Sequence, residues 1–450
     1  MRESMIQGHQ ESSLFLRICK LCNGVLLTIP FAGAWYYCYK DLVIEPMFSW
    51  ESWLVIALFA ILYMAFAKVY DAHEVPYSNI KLLFYGEVLA LVFANGIMYL
   101  VMVLLGHHWL SAWPLLGAAL LDCLLAYSWA HLVYTWYGNH RKLKKTIVIY
   151  DESHKLSTVK EQIQEVGRFS IVGVYHWDHF KPESLKGIDA VFLCGLHSHE
   201  RNFALKECFQ KDIEVFVFPR IGDMLMHSLE PMHLFHLPVW RGRRYAPHME
   251  YLFFKRCFDL VSASLVLLIL SPVMALVAYL IHRQDGGPVF YKQERLTQDG
   301  KTFDVLKFRS MRVDAEKIGG AQLSTGQGDP RVTPVGRWIR QCRIDELPQL
   351  INIIRGDMSV VGPRPERPEL AQEYQECLPE FSLRLQAKAG LTGLAQVYGK
   401  YNTSPYDKLQ MDLAYIAKPS LWEDLRIIFA TFKILLSKES TEGVCSHEEN

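Results

Sequence analysis

The sequence predicts a membrane protein of mixed class, with a four-helix transmembrane bundle, an α/β domain and a mostly α-helical C-terminal domain. Apolar stretches crowd into the first 140 residues, and short β-branched runs then alternate with helical segments. Polar, Gly, Pro and Arg density rises abruptly after residue 286. We therefore divide the 450 residues into a bundle (1–140), a Rossmann-like domain (141–240), a juxtamembrane segment with a re-entrant helix (241–285) and a C-terminal domain (286–450).

The overall composition excludes several classes of protein. Lys+Arg and Asp+Glu both number 47, so bulk basicity does not indicate a nucleic-acid partner. The 10 cysteines are scattered over a long chain, which is not the pattern of a disulfide-dense secreted scaffold. Hydrophobic residues make up 51% of the chain and lie mainly in a few long stretches, as expected for a membrane protein.

Four apolar segments predict the bundle, at residues 24–39, 53–67, 88–105 and 111–137. A transmembrane helix needs about 20 mostly apolar residues, so the two shorter segments must borrow flanking residues. Basic residues precede the first segment and follow the fourth, which by the positive-inside rule places the N-terminus and everything after residue 140 in the cytoplasm. Asp122 lies inside the fourth segment, where it is either a bundle-facing or snorkelling carboxylate or part of a functional site.

Strands and helices alternate in the middle region. Strands are predicted at 146–150, 171–175, 190–193 and 215–218, with helices at 156–166 and 200–210, which indicates a parallel, doubly wound sheet. The first strand is followed by Asp151-Glu152-Ser153 and not by Gly-x-Gly-x-x-Gly. Because a dinucleotide's pyrophosphate needs close backbone approach, this domain is predicted to be regulatory or structural and not redox-active.

The fifth apolar segment, residues 260–281, is long enough to cross a bilayer but has basic residues on both flanks. A crossing would put one basic flank outside, against the positive-inside rule. Ser271-Pro272 lies at its centre, where proline removes a backbone donor and predicts a break or kink. We expect a helix that enters one leaflet and returns; an ordinary kinked span is the alternative.

Cations recur beside turn-forming Gly and Pro between residues 287 and 400, which predicts a pocket for a multiply charged anion. The sharpest feature is Asp345-Glu346. Pro348 is tolerated only in a helix's first turn, so a helix should begin at or next to Asp345. Asp345 is then either a simple N-cap or an ionised nucleophile toward phosphorus, and Glu346, about 100° around the helix, could hold a divalent metal or take a proton.

From about residue 251 to 436 the chain resembles the bacterial sugar transferases, the polyprenyl-phosphate hexose-1-phosphate transferases, also called monotopic phosphoglycosyl transferases. Four sequence blocks occur in that family's order: Lys-Phe-Arg-Ser-Met, Asp-Glu-Leu-Pro-Gln, Gly-Asp-Met-Ser-x-Val-Gly-Pro-Arg-Pro and Leu-Thr-Gly-Leu-Ala-Gln-Val. The bundle and α/β domain look like those of the family's large members.

The resemblance implies a reaction. A sugar 1-phosphate moves from a UDP-sugar to undecaprenyl phosphate, giving the lipid-linked diphosphosugar and UMP, by a ping-pong mechanism with Mg²⁺. This is the first membrane step of exopolysaccharide, capsule or O-antigen synthesis. Asp345 matches the nucleophile that forms a phosphosugar-aspartyl intermediate, and Glu346 its dyad partner; both are the expected metal ligands.

The resemblance also implies further roles. Arg364, between Pro363 and Pro365, matches a substrate-phosphate residue, and Lys307, Arg309 and Arg340 match cations for the diphosphate or uridine. Ser271-Pro272 matches the break of the family's re-entrant helix. The expected location is the bacterial inner membrane, with the α/β and catalytic domains cytoplasmic, and a homodimer is compatible with this interpretation. Two residues depart from the family's pattern: Arg343 stands where many members have Ser, and Ala389 where many have Pro.

Two other functions remain open at this point. A membrane-bound nucleotide-sugar dehydratase could share the bundle and the α/β domain, and Tyr251-x-x-x-Lys255 has the spacing of a short-chain dehydrogenase pair. However, Gly326-Gln327-Gly328 is followed by Arg331 where the phosphate-binding fingerprint needs Gly. A catalytically dead scaffold is the other alternative, and the intact carboxylate pair argues against it.

Overall fold

The computed structural model describes residues 2–42, 49–140, 143–151, 156–245, 247–312, 331–399 and 403–435. The chain divides into two compact units, Met1–Phe218 and Pro219–Asn450. The first contains the apolar N-terminal helices and the α/β sheet, and residues 219–240 cluster with the second unit. The division into four domains stays a prediction. The Gly326-Gln327-Gly328 stretch and Glu152-Ser153 lie outside the described residues.

The last three N-terminal apolar segments are single long helices, as predicted, whereas the first is divided between shorter helical elements. Helix α1 spans Arg2–Leu26, and α2 spans Ile29–Ala34 and continues into a π-helical turn at Trp35–Tyr39. Helices α3 (Ser49–Val69), α4 (Ile80–Gly106) and α5 (Trp113–His140) follow. Residues Leu14–Leu42, Trp50–Val69, Ile80–Gly106 and Trp113–His140 are each long and apolar enough to cross a bilayer. Helix α4 packs against both α3 and α5.

A buried polar network joins these helices. The Nδ2 atom of Asn23 lies 2.8 Å from Glu87 Oε1 and 2.9 Å from the Tyr63 hydroxyl, and that hydroxyl donates to Glu87 Oε2 at 2.5 Å. His73, in the loop after α3, places Nε2 3.4 Å from Glu87 Oε1. Asp122 is fully buried, and neither carboxylate oxygen has a hydrogen-bond partner within the described residues. The Asp122 carboxylate is therefore buried and does not snorkel to an interface, and its place in a functional site stays a prediction.

The α/β sheet matches the prediction closely. Its parallel strands are β1 (Lys144–Tyr150), β2 (Phe169–His176), β3 (Ala190–Cys194) and β4 (Glu214–Phe218), in the spatial order β2-β1-β3-β4. Helices α6 (Leu156–Val166) and α7 (Ser198–Gln210) connect them. The carboxyl end of β1 carries Asp151, which lies 3.8 Å from His176 and 3.5 Å from His197. Bulky side chains therefore occupy the edge where a dinucleotide fold presents glycine.

The second unit begins with α8 (Ile221–His227), the hairpin β5–β6 (Glu230–Leu234 and Leu237–Arg241) and α9 (Met249–Asp285). A second hairpin, β7–β8 (Phe290–Leu296 and Thr302–Phe308), precedes α10 (Pro334–Gln341), α11 (Gln349–Arg355) and β9 (Ser359–Val361). Then come α12 (Pro368–Cys377), β10 (Gly390–Thr392), which pairs in parallel with β9, and three helices. These are α13 (Leu394–Tyr398), α14 (Pro405–Ala417) and α15 (Leu421–Leu435).

Helix α9 continues through Pro272 without the predicted interruption. Proline at 272 cannot donate to the Leu268 carbonyl one turn earlier. The Ser271 hydroxyl donates to that carbonyl instead, at 2.8 Å, and so replaces the missing hydrogen bond. The helix is therefore continuous over Met249–Asp285, with the serine hydroxyl satisfying a carbonyl that the proline leaves free. Re-entry into one leaflet stays a prediction.

One face of α9 packs on the second unit on both sides of the proline. Ala263 belongs to a buried cluster with Val305 and Ile353, while Val277 and Ile281 belong to another that contains Phe308 and Ile339. Large apolar residues on the other face are exposed: Val261, Leu265, Leu268, Ile269 and Leu276. The helix therefore lies along the domain and presents a continuous apolar surface.

Helix α15 has a buried face and an exposed face. Ile427 and Ala430 are buried, whereas Trp422 and Phe432 are 47% and 42% exposed. The helix is thus a core helix on one face and has large aromatic side chains at its surface.

Candidate active site

The carboxylate pair lies in a single 3-10 turn, Ile344–Glu346, between α10 and α11. The predicted helix begins at Gln349, four residues after Asp345, with Pro348 in the N-cap position. The expectation that Asp345 sits at the helix start is therefore wrong in detail. Arg343, whose left-handed backbone has φ 52°, separates α10 from this turn, and Leu347 and Pro348 lie between the turn and α11.

Asn352 fixes this turn relative to the β7–β8 hairpin. Its side chain is fully buried, accepts from the Leu306 backbone N–H at 3.0 Å and donates to the Asp304 carbonyl at 2.8 Å. The Asn352 amide thus satisfies two backbone groups of β8 that a neighbouring strand would otherwise pair with. Lys307 follows on β8, so the contact sets the distance from its ammonium to the carboxylates on the turn before α11.

The structure brings Lys307 and Arg364 onto the same carboxylate. Lys307 Nζ lies 3.3 Å from Glu346 Oε1, and Arg364 Nη2 lies 3.2 Å from the same oxygen. The Asp345 carboxylate accepts no hydrogen bond from any other described side chain. Arg340 donates from Nε to the Ser310 hydroxyl at 2.8 Å, and its charge acts on Asp345. One acid is thus held by cations while the other stays open to a ligand.

The two acids have pKa values shifted in opposite directions. Burial raises the pKa of Asp345 to about 6, and the adjacent negative charge of Glu346 adds to the increase. Burial also acts to raise the pKa of Glu346, but Lys307, Arg364 and Arg343 outweigh it and lower this pKa to about 2. The sequence predicted that a helix N-terminus keeps Asp345 ionised. The structure shows a raised pKa, because the residue is partly buried ahead of that helix, yet one still below neutral pH.

Arg309 lies apart from the carboxylates. Its buried guanidinium pairs with Asp285 at the C-terminal end of α9, and a Cβ on Gly287 would clash with it. Arg309 therefore ties the end of α9 to β8, and its assignment to the diphosphate or uridine stays a prediction. Pro363 is buried and Pro365 partly buried, while Arg364 between them is exposed.

Arg343 is a residue whose position the sequence did not explain. It occupies the residue after the α10 C-cap, where glycine is favoured because the left-handed conformation costs other residues roughly 1 kcal/mol. Its charge acts on Glu346. In the sequence, the role of Arg343 is indicated only by its departure from the family's pattern at this position. The role of Asn352 is indicated only by a polar residue within an apolar helix.

We predict that Arg343→Gly raises stability and lowers activity. Relief of the left-handed strain should add up to about 1 kcal/mol of unfolding free energy. Loss of a positive charge beside Glu346 should at the same time weaken donor binding by about tenfold, as for one charge-assisted contact. Thermal unfolding and donor KM measure the two effects, with Arg343→Lys as the control that keeps both strain and charge. A parallel loss of stability and activity in Arg343→Gly would contradict the prediction.

The described residues contain no group of three or more His, Cys, Asp or Glu side chains placed to hold a metal ion. The two carboxylates of Asp345 and Glu346 could supply part of the coordination shell of a cation whose other ligands come from elsewhere. Mg²⁺ is typically bound by one or two carboxylates together with substrate phosphates and water. The open carboxylate of Asp345 is suited to that role, while Glu346 already accepts two cations on Oε1.

The Tyr251 and Lys255 pair is part of a buried structural network. Lys255 Nζ lies 2.9 Å and the Tyr251 hydroxyl 3.0 Å from Asp424 Oδ2, and the Tyr415 hydroxyl donates to Asp424 Oδ1 at 2.8 Å. These contacts join α9 to α14 and α15. Both side chains are engaged by this carboxylate, which gives the dehydratase alternative no support.

Comparison with known proteins places this site in a family context. The profile of the family described as bacterial sugar transferase matches residues 250–438. A UDP-glucose:undecaprenyl-phosphate glucose-1-phosphate transferase from Caulobacter vibrioides is 41% identical over 193 residues, which cover 41% of this chain and 71% of the relative. An undecaprenyl-phosphate glucose phosphotransferase from Komagataeibacter xylinus is 42% identical over 187 residues, covering 40% and 35% of the two chains.

A relative from Aeromonas hydrophila named for another sugar also matches. This UDP-N-acetylgalactosamine-undecaprenyl-phosphate N-acetylgalactosaminephosphotransferase is 35% identical over 236 residues, or 52% of this chain and 55% of the relative. The chain thus spans only about a third to a half of the length of several curated relatives it matches, including 40% of an Escherichia coli one. The matched region contains the carboxylate turn, Lys307 and Arg364, and it covers most of the Caulobacter relative. The chain therefore belongs to the bacterial sugar transferase family.

Proposed function

We propose that this protein transfers a sugar 1-phosphate from a UDP-sugar to undecaprenyl phosphate, giving undecaprenyl-diphosphate-sugar and UMP. The observation that carries the proposal is the difference between two adjacent acids. Asp345 is open and has a pKa of about 6, whereas Glu346 is held by Lys307 and Arg364 and has a pKa of about 2. This is the arrangement expected of a nucleophile beside an acid that keeps its charge.

The proposed chemistry has two steps. An ionised Asp345 oxygen attacks the phosphorus that bears the sugar, and the bond from that phosphorus to UMP breaks, so UMP leaves with the bonding electrons. A phosphate oxygen of the lipid then attacks the same phosphorus, the bond to Asp345 breaks, and the carboxylate is regenerated. Four cations act on the two carboxylates: Lys307, Arg340, Arg343 and Arg364. They leave a formal charge of +2, which matches the two negative charges of a UDP-sugar diphosphate.

We propose that Mg²⁺ is shared between the protein and the diphosphate, with Asp345 and Glu346 as the protein ligands. When bound it would supply further positive charge at the phosphoryl oxygens. The protein's own contribution is to orient the phosphates with Lys307 and Arg364 and to leave the Asp345 oxygens without a hydrogen bond from any other described side chain.

The names of the relatives support the substrate classes. Relatives are named for undecaprenyl phosphate together with glucose, galactose or N-acetylgalactosamine. We therefore propose a UDP-hexose as the donor and a polyprenyl phosphate as the acceptor; the sugar that is named differs from one relative to another. The exposed apolar face of α9 supports an acceptor that is delivered from a membrane surface. A role in exopolysaccharide, capsule or O-antigen synthesis follows from this acceptor.

The test of the proposed function is a UMP-release assay with the purified full-length protein, undecaprenyl phosphate and a panel of UDP-sugars. At least one donor should give UMP in proportion to lipid-linked product. Absence of UMP release with every UDP-hexose, under conditions where a known family member is active, would overturn the proposal.

The rate of the first step should fall below about pH 6. Asp345 must be ionised to attack, and burial has raised its pKa to about 6, whereas Glu346 stays ionised through this range. Adduct formation from the UDP-sugar, measured between pH 5 and 8 without acceptor, isolates this ionisation from that of the lipid phosphate. In Glu346→Gln the decline should move to lower pH, because the charge that helps to raise the Asp345 pKa is gone. A rate that is flat down to pH 5 in the wild type would contradict the assignment.

We propose that both ends of α9 lie on the cytoplasmic side of the inner membrane. Ala263 before the proline and Val277 after it pack on one and the same domain, which supports a helix that does not carry the chain across. Tags at about residue 160 and after Asn450 should both be reached by a membrane-impermeant reagent only in inverted vesicles. Labelling on opposite sides would overturn this topology without affecting the proposed chemistry.

A further inference from the structure

The backbone around Arg364 is held at four consecutive carbonyls. The oxygens of Pro363, Arg364, Pro365 and Glu366 each accept one hydrogen bond, and all four measure 2.9 Å. Two donors are backbone N–H groups, of Gly390 and Leu296, and two are guanidinium groups, of Arg384 and Arg295. Two of the four residues are prolines, which cannot donate, so this segment depends on donors brought from elsewhere.

Arg384 is the more deeply buried of the two arginines. Its side chain is 3% exposed and pairs with Asp412 on α14, which is 1% exposed. Nε lies 2.8 Å and Nη2 2.7 Å from Asp412 Oδ2, and Nη2 also donates to the Arg364 carbonyl. Nη1 lies 3.6 Å from Glu366 Oε1. One planar group therefore connects α14 to both Arg364 and Glu366, a geometry that an ammonium cannot reproduce.

Arg295 holds the segment from the other side. It lies on β7 and donates from Nη1 to the Pro365 carbonyl, while the same nitrogen lies 3.8 Å from Glu366 Oε2. Its Nε and Nη2 atoms are occupied by Gln293 Oε1, at 3.2 Å and 2.7 Å. Glu366 thus lies between two arginines, and the carbonyl on either side of Pro365 is bonded to the protein frame.

This frame is needed because the ion pair between Arg364 and Glu346 cannot by itself order the loop that carries Arg364. The Arg364 side chain is 43% exposed where it meets Glu346. Ion pairs of such exposure are typically worth about 0–1 kcal/mol, which is too little to order a loop whose backbone costs about 1–2 kcal/mol per fixed residue. The position of the Arg364 guanidinium must therefore be set by its backbone.

We propose that Arg384 and Arg295 are positioning residues for the transfer reaction: they fix the Arg364 backbone so that its guanidinium faces Glu346 and the donor phosphates. This inference rests on the proposed function. Neither arginine needs to touch substrate, and both act through Arg364. Asp412 and Glu366 in turn hold the two arginines in place.

The test combines conservative variants with Arg364→Ala in a double-mutant design. Arg384→Lys and Arg295→Lys keep the positive charge but lose the planar guanidinium that donates to two partners at once. Each should lower kcat/KM for UMP release by about 10- to 100-fold, as expected for a misplaced phosphate contact. In the Arg364→Ala background the same changes should cost less than about twofold, because their target is already absent. Equal losses in both backgrounds would overturn the proposal.

Leu409→Ala is the control for general destabilisation. Leu409 is fully buried on α14, one turn from Asp412. It packs in an apolar core cluster and takes no part in the ion pair between Arg384 and Asp412. Its loss should lower the melting temperature at least as much as either lysine variant, while kcat/KM at a permissive temperature stays within about twofold. If Arg384→Lys does not fold, Arg295→Lys, whose side chain is 16% exposed, carries the test alone. Wild-type protein without UMP release would refute the proposed function and the positioning role with it, whereas equal losses in both backgrounds of an active enzyme would refute this inference alone.

Discussion

Asp345→Asn is expected to abolish UMP release, lowering kcat by at least about 1,000-fold, as removal of a nucleophile does. The amide has nearly the shape of the carboxylate but neither the charge nor the nucleophilicity to attack phosphorus. Because the Asp345 carboxylate accepts no hydrogen bond from another described side chain, the substitution should leave the surrounding turn intact. UMP release and mass spectrometry of enzyme quenched with a competent donor measure the effect, and the phosphosugar adduct should be missing.

The matched control for this variant is Glu369→Gln. Glu369 is an exposed acid in the first turn of α12. Its change to Gln removes one negative charge, as Asp345→Asn does, but away from the site. Its activity should stay within about twofold of the wild type, as for most surface substitutions. Full activity in Asp345→Asn, or an adduct on another residue, would rule out the nucleophile role.

Glu346→Gln is expected to give the second-largest loss, about 100-fold or more in turnover, while some phosphosugar adduct remains trapped on Asp345. The change removes the acceptor shared by Lys307 and Arg364, so two cations near the donor lose their common partner. Asp345 remains ionisable, and the first step can still occur. The ratio of adduct to turnover, measured by quench and mass spectrometry, should therefore rise above that of the wild type.

Comparison with Lys307→Met distinguishes a defect after adduct formation from a defect in adduct formation itself. Lys307 approaches the same Glu346 oxygen, but its loss should lower adduct formation and turnover together, because a positive charge at the donor phosphates is gone. If Glu346→Gln also shows no adduct under any condition, then Glu346 is needed for the first step and the division of roles between the two acids is wrong.

Periodic patterns in the sequence identified most of the elements. The predicted helix at 156–166 matches α6, and the four predicted strands match β1 to β4 with shifts of one or two residues. The last three N-terminal apolar segments match α3 to α5, because a bilayer-length hydrophobic run leaves the chain few alternatives to a helix, whereas the first is divided between the end of α1, α2 and a π-helical turn. The start of α11 was misplaced, because Pro348 alone does not fix where the first helical turn begins: it is the N-cap of α11, and the carboxylates lie in a separate 3-10 turn before it.

By itself the sequence determined which residues are chemically suited to the site: two adjacent acids, and cations beside Gly and Pro. Only the tertiary structure decided how these residues are used. Of the predicted cations, Lys307 and Arg364 converge on Glu346, while Arg309 pairs with Asp285 at the end of α9. The physical reason is that these partners are 18 to 39 residues apart along the chain, so their distances are set by packing between elements and by buried contacts such as those of Asn352 and Arg384, which no local pattern encodes.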